Sequence, residues 1–533
     1  METNKLLKLI SVYLADWRSD AKKAEALIAA SIAAGDKIDK AVDKAIKARP
    51  DMFYLTDLPD FLADAAAIGL GVADTSFVPP EYRELLVKAL EKPWTSNGVK
   101  LSARLYGAGR DMRAQILTVV GRSLKNGADW RAAAKALYDG YGKGAIIPDQ
   151  AIAGYMAHLR RWTPENYEEQ SRLARIALRN INRLARKGAP NIALKSAYTK
   201  LLDAAKTGSE KAYKNALYVA MNEKSRYVAE RITRTESTRA WADGFFARAL
   251  ADPHVVAVRW KLSSRHPVYD ICDMYAKADM YNLGGGVYPR DKVPPLPAHP
   301  HCLCYLSEVY RGEVDLSKQK DQTKKAVDNW LRDLPFDKQK LVLGLYGVNA
   351  WTAGDSWTKY LRGWQGLVNP TSRLDVDLVR DLMERNLLPP TDSHLAAIAK
   401  SQGLSYTLGK RGAARWYSDD NKPIYPLHYG FYGSYGTETL QAGSVIVDRY
   451  GKNRGSFVSP QGTAFSERSL PPKNKNDEYH VYRVKKDILG VLSGRTAPWF
   501  GQTGGGWQYK LPDKIKNLSD YLEEVDSHDN QRP

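Results

Sequence analysis

Between Asp448 and Tyr509 the chain reads DRYGKNRGSFVSPQGTAFSERSLPP, then YHVYRV, then APWFGQTGGGWQY. Arg449, Arg454 and Arg468 each carry a planar fork of N–H donors that meets phosphate oxygens two at a time. Tyr450, Phe457, Trp499 and Phe500 offer flat faces on which a ring can stack. Gly501, Gly504, Gly505 and Gly506 form a turn in which a ligand can approach the backbone, and Gln502 sits inside it. His480 carries an imidazole, which suits acid–base work or a phosphate contact. Each residue also has a plainer reading. Arg468 can anchor the loop before Pro471 and Pro472, His480 can be a satisfied strand histidine, Asp448 can pair with Arg449, and Trp499 can belong to a core.

These motifs, in this order from about Gly443 to about Val525, resemble the tuberculosis necrotizing toxin family of NAD glycohydrolases. The resemblance implies Gln502, Arg449 and His480 as catalytic residues. It implies Arg468, Phe457, Tyr450, Trp499, Phe500 and Gly501 as substrate-binding residues. Gln502 corresponds to the glutamine of the family's WFGQPGGG turn, where its amide would hold the ribose hydroxyls or orient a water. Thr503 stands where the family usually has proline. Hydrolysis at the nicotinamide bond passes through an oxocarbenium-like ribosyl centre, and no carboxylate stands out as its partner; Glu438 and Glu467 are candidates. The resemblance makes NAD the substrate, so no cofactor is expected, and Lys452 or Arg454 could read the 2′-phosphate of NADP.

All three cysteines, Cys272, Cys302 and Cys304, fall in RHPVYDIC and PAHPHCLC together with His266, Asp270, His299 and His301. Thiolates and imidazoles in two clusters suit a structural Zn²⁺. The expected ligands are Cys272, His301, Cys302 and His266. Small buried cysteines are the plainer alternative, and a disulfide is a third.

A second resemblance rests on the same region. Arg234-Thr235-Glu236, Trp260, His266-Pro267, Asp270, Cys272 and Pro297 through Tyr305 look like the head morphogenesis domain of phage Mu F-type minor head proteins, over about residues 190–312. It implies a minor capsid component near the portal, with phage portal and capsid proteins as partners.

The elements that must position these residues follow from pattern. Residues 1 to about 230 are rich in helix formers, with apolar positions three and four apart (Leu173, Ala177, Ile181, Leu184). Val255 to Leu262 alternates as a strand does. His266 to Pro300 reads as loop, and HCLCYLSEVY as a second strand with Cys302 and Cys304 on one face. Residues 313–385 return to helical spacing. From Val445 short strands and turns are expected, with one late helix from Asp513 to Val525. The expected fold is multidomain: a mainly α-helical region over 1–185, an α+β Mu F-like domain with helical extension over 186–385, a link over 386–425, and a β-rich α+β toxin-like domain over 426–533.

A net charge of +19 over 533 residues points to an anionic partner. Residues 151–240 alone hold 18 Lys and Arg against 8 Asp and Glu, and packaged DNA is the partner this stripe suits, although a solvated helical face reads the same way. No apolar run approaches the ~18–20 residues of a membrane span. The start METNKLLKLISVYLADW spreads its charges and lacks a cleavage site, so no signal peptide is expected. The leading expectation is a virion protein, in the capsid interior or at the portal, whose terminal toxin acts in the target bacterial cytoplasm. An immunity protein would protect producing cells, as in polymorphic toxins. The alternatives are a purely structural capsid protein with an inactive C-terminal domain, and an ADP-ribosyltransferase. The latter would be expected to carry Glu-x-Glu or Gln-x-Glu, and neither occurs after residue 430.

Overall fold

The computed structural model describes residues 2–49, 57–93, 159, 162, 172–187, 192–206 and 210–525, apart from 73, 265, 267, 268, 300, 301, 362, 444, 453, 514, 516 and 517. Among the described residues of the first 251, every regular element of more than one turn is a helix: α1 (Glu2–Ala33), α2 (Ile38–Ala48), α3 (Leu58–Gly69), α4 (Pro80–Leu90), α5 (Arg172–Lys187), α6 (Ile192–Lys206) and α7 (Glu210–Ala251). Pro80 opens α4 at its first turn, where its missing N–H costs nothing. Helix α7 is 42 residues long, about 63 Å at helical rise. Small residues let α3 cross it closely. A Cβ on Gly69 would stand 2.1 Å from the Trp241 carbonyl oxygen, and one on Gly244 would stand 2.1 Å from that of Ala66. A buried ion pair fixes the same helix: Arg373 Nη2 lies 2.7 Å from Asp243 Oδ2, and Arg373 Nη1 donates to the Leu90 carbonyl at 2.6 Å. One apolar core therefore runs from Leu6 through α3, α4 and the end of α7 to Leu388. None of the described helices is long and apolar enough to cross a membrane.

The buried face of α5 is Ala174, Ala177, Ile181 and Ala185. Leu173, expected on that face, is 50% exposed, because at about 100° per residue it falls at the edge of the arc these four share. Arg172, Arg175, Arg179 and Arg183 line the exposed side.

Strand β1 (Val255–Lys261) pairs antiparallel with β2 (Val287–Pro289) and β3 (Tyr305–Tyr310) in the order β2-β1-β3. The second strand begins only at Tyr305, so Cys302 and Cys304 lie in the run before it, not on a strand face. The expected loop also holds a helix, α8 (Ile271–Lys277). Asp270 caps it, accepting from Cys272 N at 2.8 Å, while Asp273 accepts from Asp270 N at 3.1 Å. Helices α9 (Thr323–Arg332), α10 (Phe336–Thr352) and α11 (Val376–Glu384) occupy 313–385 as their spacing predicts.

Residues 386–425, expected as a link, are folded. Helix α12 (Asp392–Ser401) supplies Leu395, Ile398 and Ala399 to a core that also takes Trp416, Ile424, Trp499 and Phe500. Beyond it, β4 (Gly436–Leu440), β5 (Ile446–Tyr450), β6 (Phe457–Pro460), β7 (Tyr479–Val484), β8 (Ile488–Arg495), β9 (Trp507–Lys510) and β10 (Leu522–Glu524) form one antiparallel sheet, ordered β10-β7-β5-β6-β9-β8-β4. The late helix expected over 513–525 is instead a single 3₁₀ turn, Leu518–Asp520, followed by β10. Leu518 and Leu522, four apart, mimic a helical face but are buried from these two separate elements.

Candidate functional site

Strand alternation divides the sequence motifs between two faces. Cross-strand register pairs Val447 with Tyr482, Arg449 with His480, and Asp448 with Ser459 of β6. Paired side chains share a face, so Arg449, His480 and Tyr482 lie together, while Asp448, Tyr450, Ser459 and Phe457 take the other side.

On that second side is a cavity of about 530 Å³. Asp448 and Arg468 lie at its floor, both almost completely buried, with Arg468 Nη1 2.5 Å from Asp448 Oδ1. Asp448 Oδ2 accepts from Gly462 N at 3.0 Å and from Tyr479 Oη at 2.7 Å. Burial, and then this hydrogen bond to a carboxylate, push the Tyr479 hydroxyl well above its ordinary range. Arg468 also donates from Nε and Nη2 to the Thr463 carbonyl and sits over the Tyr450 ring. Asp448 is thus the partner of Arg468, not of Arg449. A guanidinium has five N–H groups, and these contacts use three of them.

The mouth is aromatic. Tyr425, Tyr429 and Phe457 line it and are 50%, 49% and 41% exposed. Tyr429 and Ser469, both in the wall, hold φ of 57° and 55°. A non-glycine residue pays for this conformation, and such strain concentrates at ligand sites. Ser469 is held there by donating to the Ala497 carbonyl. The sequence motifs missed Tyr425, which fell in the supposed link over 386–425, and Tyr429, which lies before the first motif; the aromatic run IYPLHYGFYGSYG was the available signal.

Arg449 also borders the cavity from β5. Its Nη1 donates to the Gly455 carbonyl at 3.1 Å, and burial lowers its affinity for its proton, opposed by Tyr482. A Cβ on Gly455 (φ 138°) would lie 2.8 Å from Arg449 Nη2. Arg449 Nε and Tyr482 Oη are buried without a hydrogen-bond partner among the described residues. His480 Nδ1 lies 2.7 Å from Glu524 Oε1 on β10.

Trp499 and Phe500, expected to bind substrate, belong to the core instead. Trp499 is 1% exposed, donates Nε1 to the Ile424 carbonyl at 2.7 Å and packs on Trp416. Phe500 packs among Trp416, Tyr417 and Tyr425. Their place is set by the folded 392–424 segment, which sequence spacing did not reveal. Gly501 (φ 78°) and Gln502 form the exposed turn that follows, and neither is part of the cavity wall. That turn is nevertheless tied to the segment carrying Arg468. Gly504 N donates to the Ser466 carbonyl and Gly506 N to that of Glu467, both at 3.1 Å. Thr503 Oγ1 donates to the Ser466 carbonyl at 3.0 Å, a tether that proline could not make.

The cysteine cluster is gathered elsewhere, at the start of α8. Cys272 Sγ lies 3.3 Å from His299 Nε2 and 3.8 Å from Cys302 Sγ, and Cys304 Sγ lies 4.0 Å from His266 Nδ1. All three cysteines are buried and free. Contact with the other two thiols holds Cys302 well below the usual thiol range. His301, expected as a ligand, lies outside the described residues.

Residues 439–525 match the Tuberculosis necrotizing toxin family. Over 100 residues the chain is 40% identical to the conidial surface nicotinamide adenine dinucleotide glycohydrolase of Aspergillus fumigatus, covering 17% of this chain and 42% of that protein. The chain thus spans less than half the length of this relative. A solved structure of tuberculosis necrotizing toxin complexed with its immunity factor aligns with 24% of this chain and 75% of its own, at 14% identity and a TM-score of 0.17. The family match over 439–525 falls on the C-terminal sheet.

Proposed function

We propose that the cavity binds NAD⁺ and that the C-terminal domain hydrolyses its nicotinamide–ribose bond. The observation that carries this reading is the joining of a buried arginine, Arg468, to three exposed aromatics in one cavity of about 530 Å³, within reach of the usual size of ligand sites. The family match over 439–525 and the relative's name support the choice of NAD. Phe457, Tyr429 and Tyr425 stack on the base or the nicotinamide, and the remaining N–H groups of Arg468 meet pyrophosphate oxygens. Arg449, with its unpartnered Nε, serves the second phosphate or the ribose. Gln502, on the tethered turn outside the cavity wall, is the residue the family resemblance assigns to hold the ribose or its attacking water. Water adds to C1′ as the C1′–N bond breaks, giving nicotinamide, ADP-ribose and a proton. The proton passes to solvent; His480, paired with Glu524, lies on the other face of the sheet from the cavity.

We also propose that the upstream chain is a minor head protein of phage Mu F type that carries this domain in the virion and into a target bacterial cytoplasm. Portal and capsid proteins would be its neighbours. The arginine row of α5 supports contact with packaged DNA, and an immunity protein covering the cavity would protect the producing cell. Recovery of the chain in purified phage particles tests the placement.

The activity is tested by incubating the full chain with NAD⁺ and measuring nicotinamide, ADP-ribose and labelled protein. Free ADP-ribose without labelled protein is expected, with a Gln502→Lys variant inert. Labelled protein would make it a transferase, and intact NAD⁺ would leave a structural protein with an inactive domain.

A further inference from the structure

We propose that Cys272, Cys302, Cys304 and His266 hold a tetrahedral structural Zn²⁺ that staples the 263–304 segment to the three-stranded sheet. Sequence spacing suggested a different set, with His301 in place of Cys304. The geometry points to the set with three thiols. With Zn–S near ~2.3 Å and Zn–N near ~2.0 Å at tetrahedral angles, two sulfurs stand about 3.8 Å apart and a sulfur and an imidazole nitrogen about 3.5 Å. Cys272 and Cys302 are 3.8 Å apart, and Cys304 and His266 Nδ1 are 4.0 Å apart. Ligand atoms of His266, Cys272 and Cys304 all lie within 4.8 Å of one another, and so do those of Cys272, His299 and Cys302; Cys272 is common to both trios, and the ion would draw Cys302 into the first.

Two imidazoles compete for the fourth place, and their outer contacts separate them. His266 presents Nδ1 to the thiols while Nε2 lies 2.9 Å from Asp273 Oδ2. That is the carboxylate–histidine–metal arrangement, in which the carboxylate fixes the tautomer and turns the free nitrogen to the ion. Asp273 is itself nearly buried, held by the Asp270 backbone N–H in the cap of α8 and by Lys277 at 3.1 Å. His299 directs the same nitrogen, Nε2, at both Cys272 and Asp270, and its side chain is more exposed, 27% against 11% for His266. The buried carboxylate behind His266 assigns it the fourth place.

A Cys₃His set is closed to substrate, so the role is folding and not catalysis. The staple holds α8, whose Cys272 it binds, against the Cys302–Cys304 run. Thr238 of α7 reaches that run too, donating to the Cys302 carbonyl at 2.8 Å.

The test uses the full chain, purified without added metal or chelator. Elemental analysis is expected to find one zinc per chain, and Co²⁺ exchanged into the site should give the visible bands of a tetrahedral thiolate complex. His266→Ala should weaken zinc at least about tenfold in a competition titration, and His299→Ala much less. A soluble, folded chain without stoichiometric zinc, and with the spectrum of aqueous Co²⁺ on addition, overturns the proposal. So does a Cys272–Cys302 disulfide found by mass after alkylation of the fresh protein. Loss of zinc with His299→Ala and retention with His266→Ala overturns the ligand set. These measurements are independent of NAD hydrolysis.

Discussion

Replacing Asp448 with asparagine isolates the ion pair on which the cavity floor rests. The side chain keeps its shape but loses its charge. Around it stand three donors, Arg468 Nη1, Gly462 N and Tyr479 Oη. An asparagine amide turns an N–H towards at least one of them and leaves Arg468 buried without a counter-charge. Breaking a buried pair from one side costs about 3–5 kcal/mol, whereas an exposed pair is worth roughly 0–1. The side chains of Arg468 and Asp448 are 4% and 0% exposed, which places this pair in the first class. Urea unfolding followed by tryptophan fluorescence reads the loss through Trp416 and Trp499, which pack together in the adjoining core. A second variant, Asp448→Asn with Arg468→Met, removes both charges and should recover much of the loss, since an apolar replacement of a buried pair is close to neutral. A loss below about 1 kcal/mol in the single variant would refute the buried-pair reasoning, as would a double variant as unstable as the sum of the two singles.

Gly455→Ala should displace the Arg449 guanidinium, since its Cβ would meet Nη2 at 2.8 Å, and should cut NAD turnover at least tenfold while the chain still folds; unchanged turnover would free Arg449 from the reaction. His394 is half-buried at the start of α12, and desolvation first of all lowers its folded pKa from the ordinary 6.5, opposed by Glu384 and a hydrogen bond to the Met383 backbone. The unfolded chain therefore binds the proton more readily, so stability is retained above pH ~6.5 and falls as the pH drops below it. His394→Gln should flatten that slope in unfolding experiments between pH 7 and 5, and an unaltered slope would contradict the assignment.

Legibility followed how local the cause was. The helices of α5 to α7, strand β1 and the DRYG and YHVY strands were readable because apolar period and β-branching act over a few residues. Asp448 was not assigned to Arg468 because the two are 20 positions apart and only the curl of β5 against the 463–469 segment brings them together. Trp499 and Phe500 look like stacking walls in a glycine-rich motif. Their burial depends on Trp416 and Ile424, from a stretch whose prolines and glycines imitate a linker. The late helix failed for a related reason: the leucine spacing was real, but pairing of Glu523 with Arg483 across β10 and β7 prevailed over it. In the metal cluster the residue types were legible. The choice of Cys304 over a histidine needed the fold, because neither spacing nor composition shows which side chains meet.

The central claim, that this cavity is the NAD site, is tested most directly by the steady-state kinetics of a Tyr429→Ala, Phe457→Ala double variant. Both side chains stand at the mouth, about half-exposed, so their removal leaves the fold in place. Stacking of a base on an aromatic ring contributes about 1–3 kcal/mol. KM for NAD⁺ should therefore rise about tenfold or more, with kcat changed far less. An active double variant with the wild-type KM would place the substrate elsewhere and contradict the account.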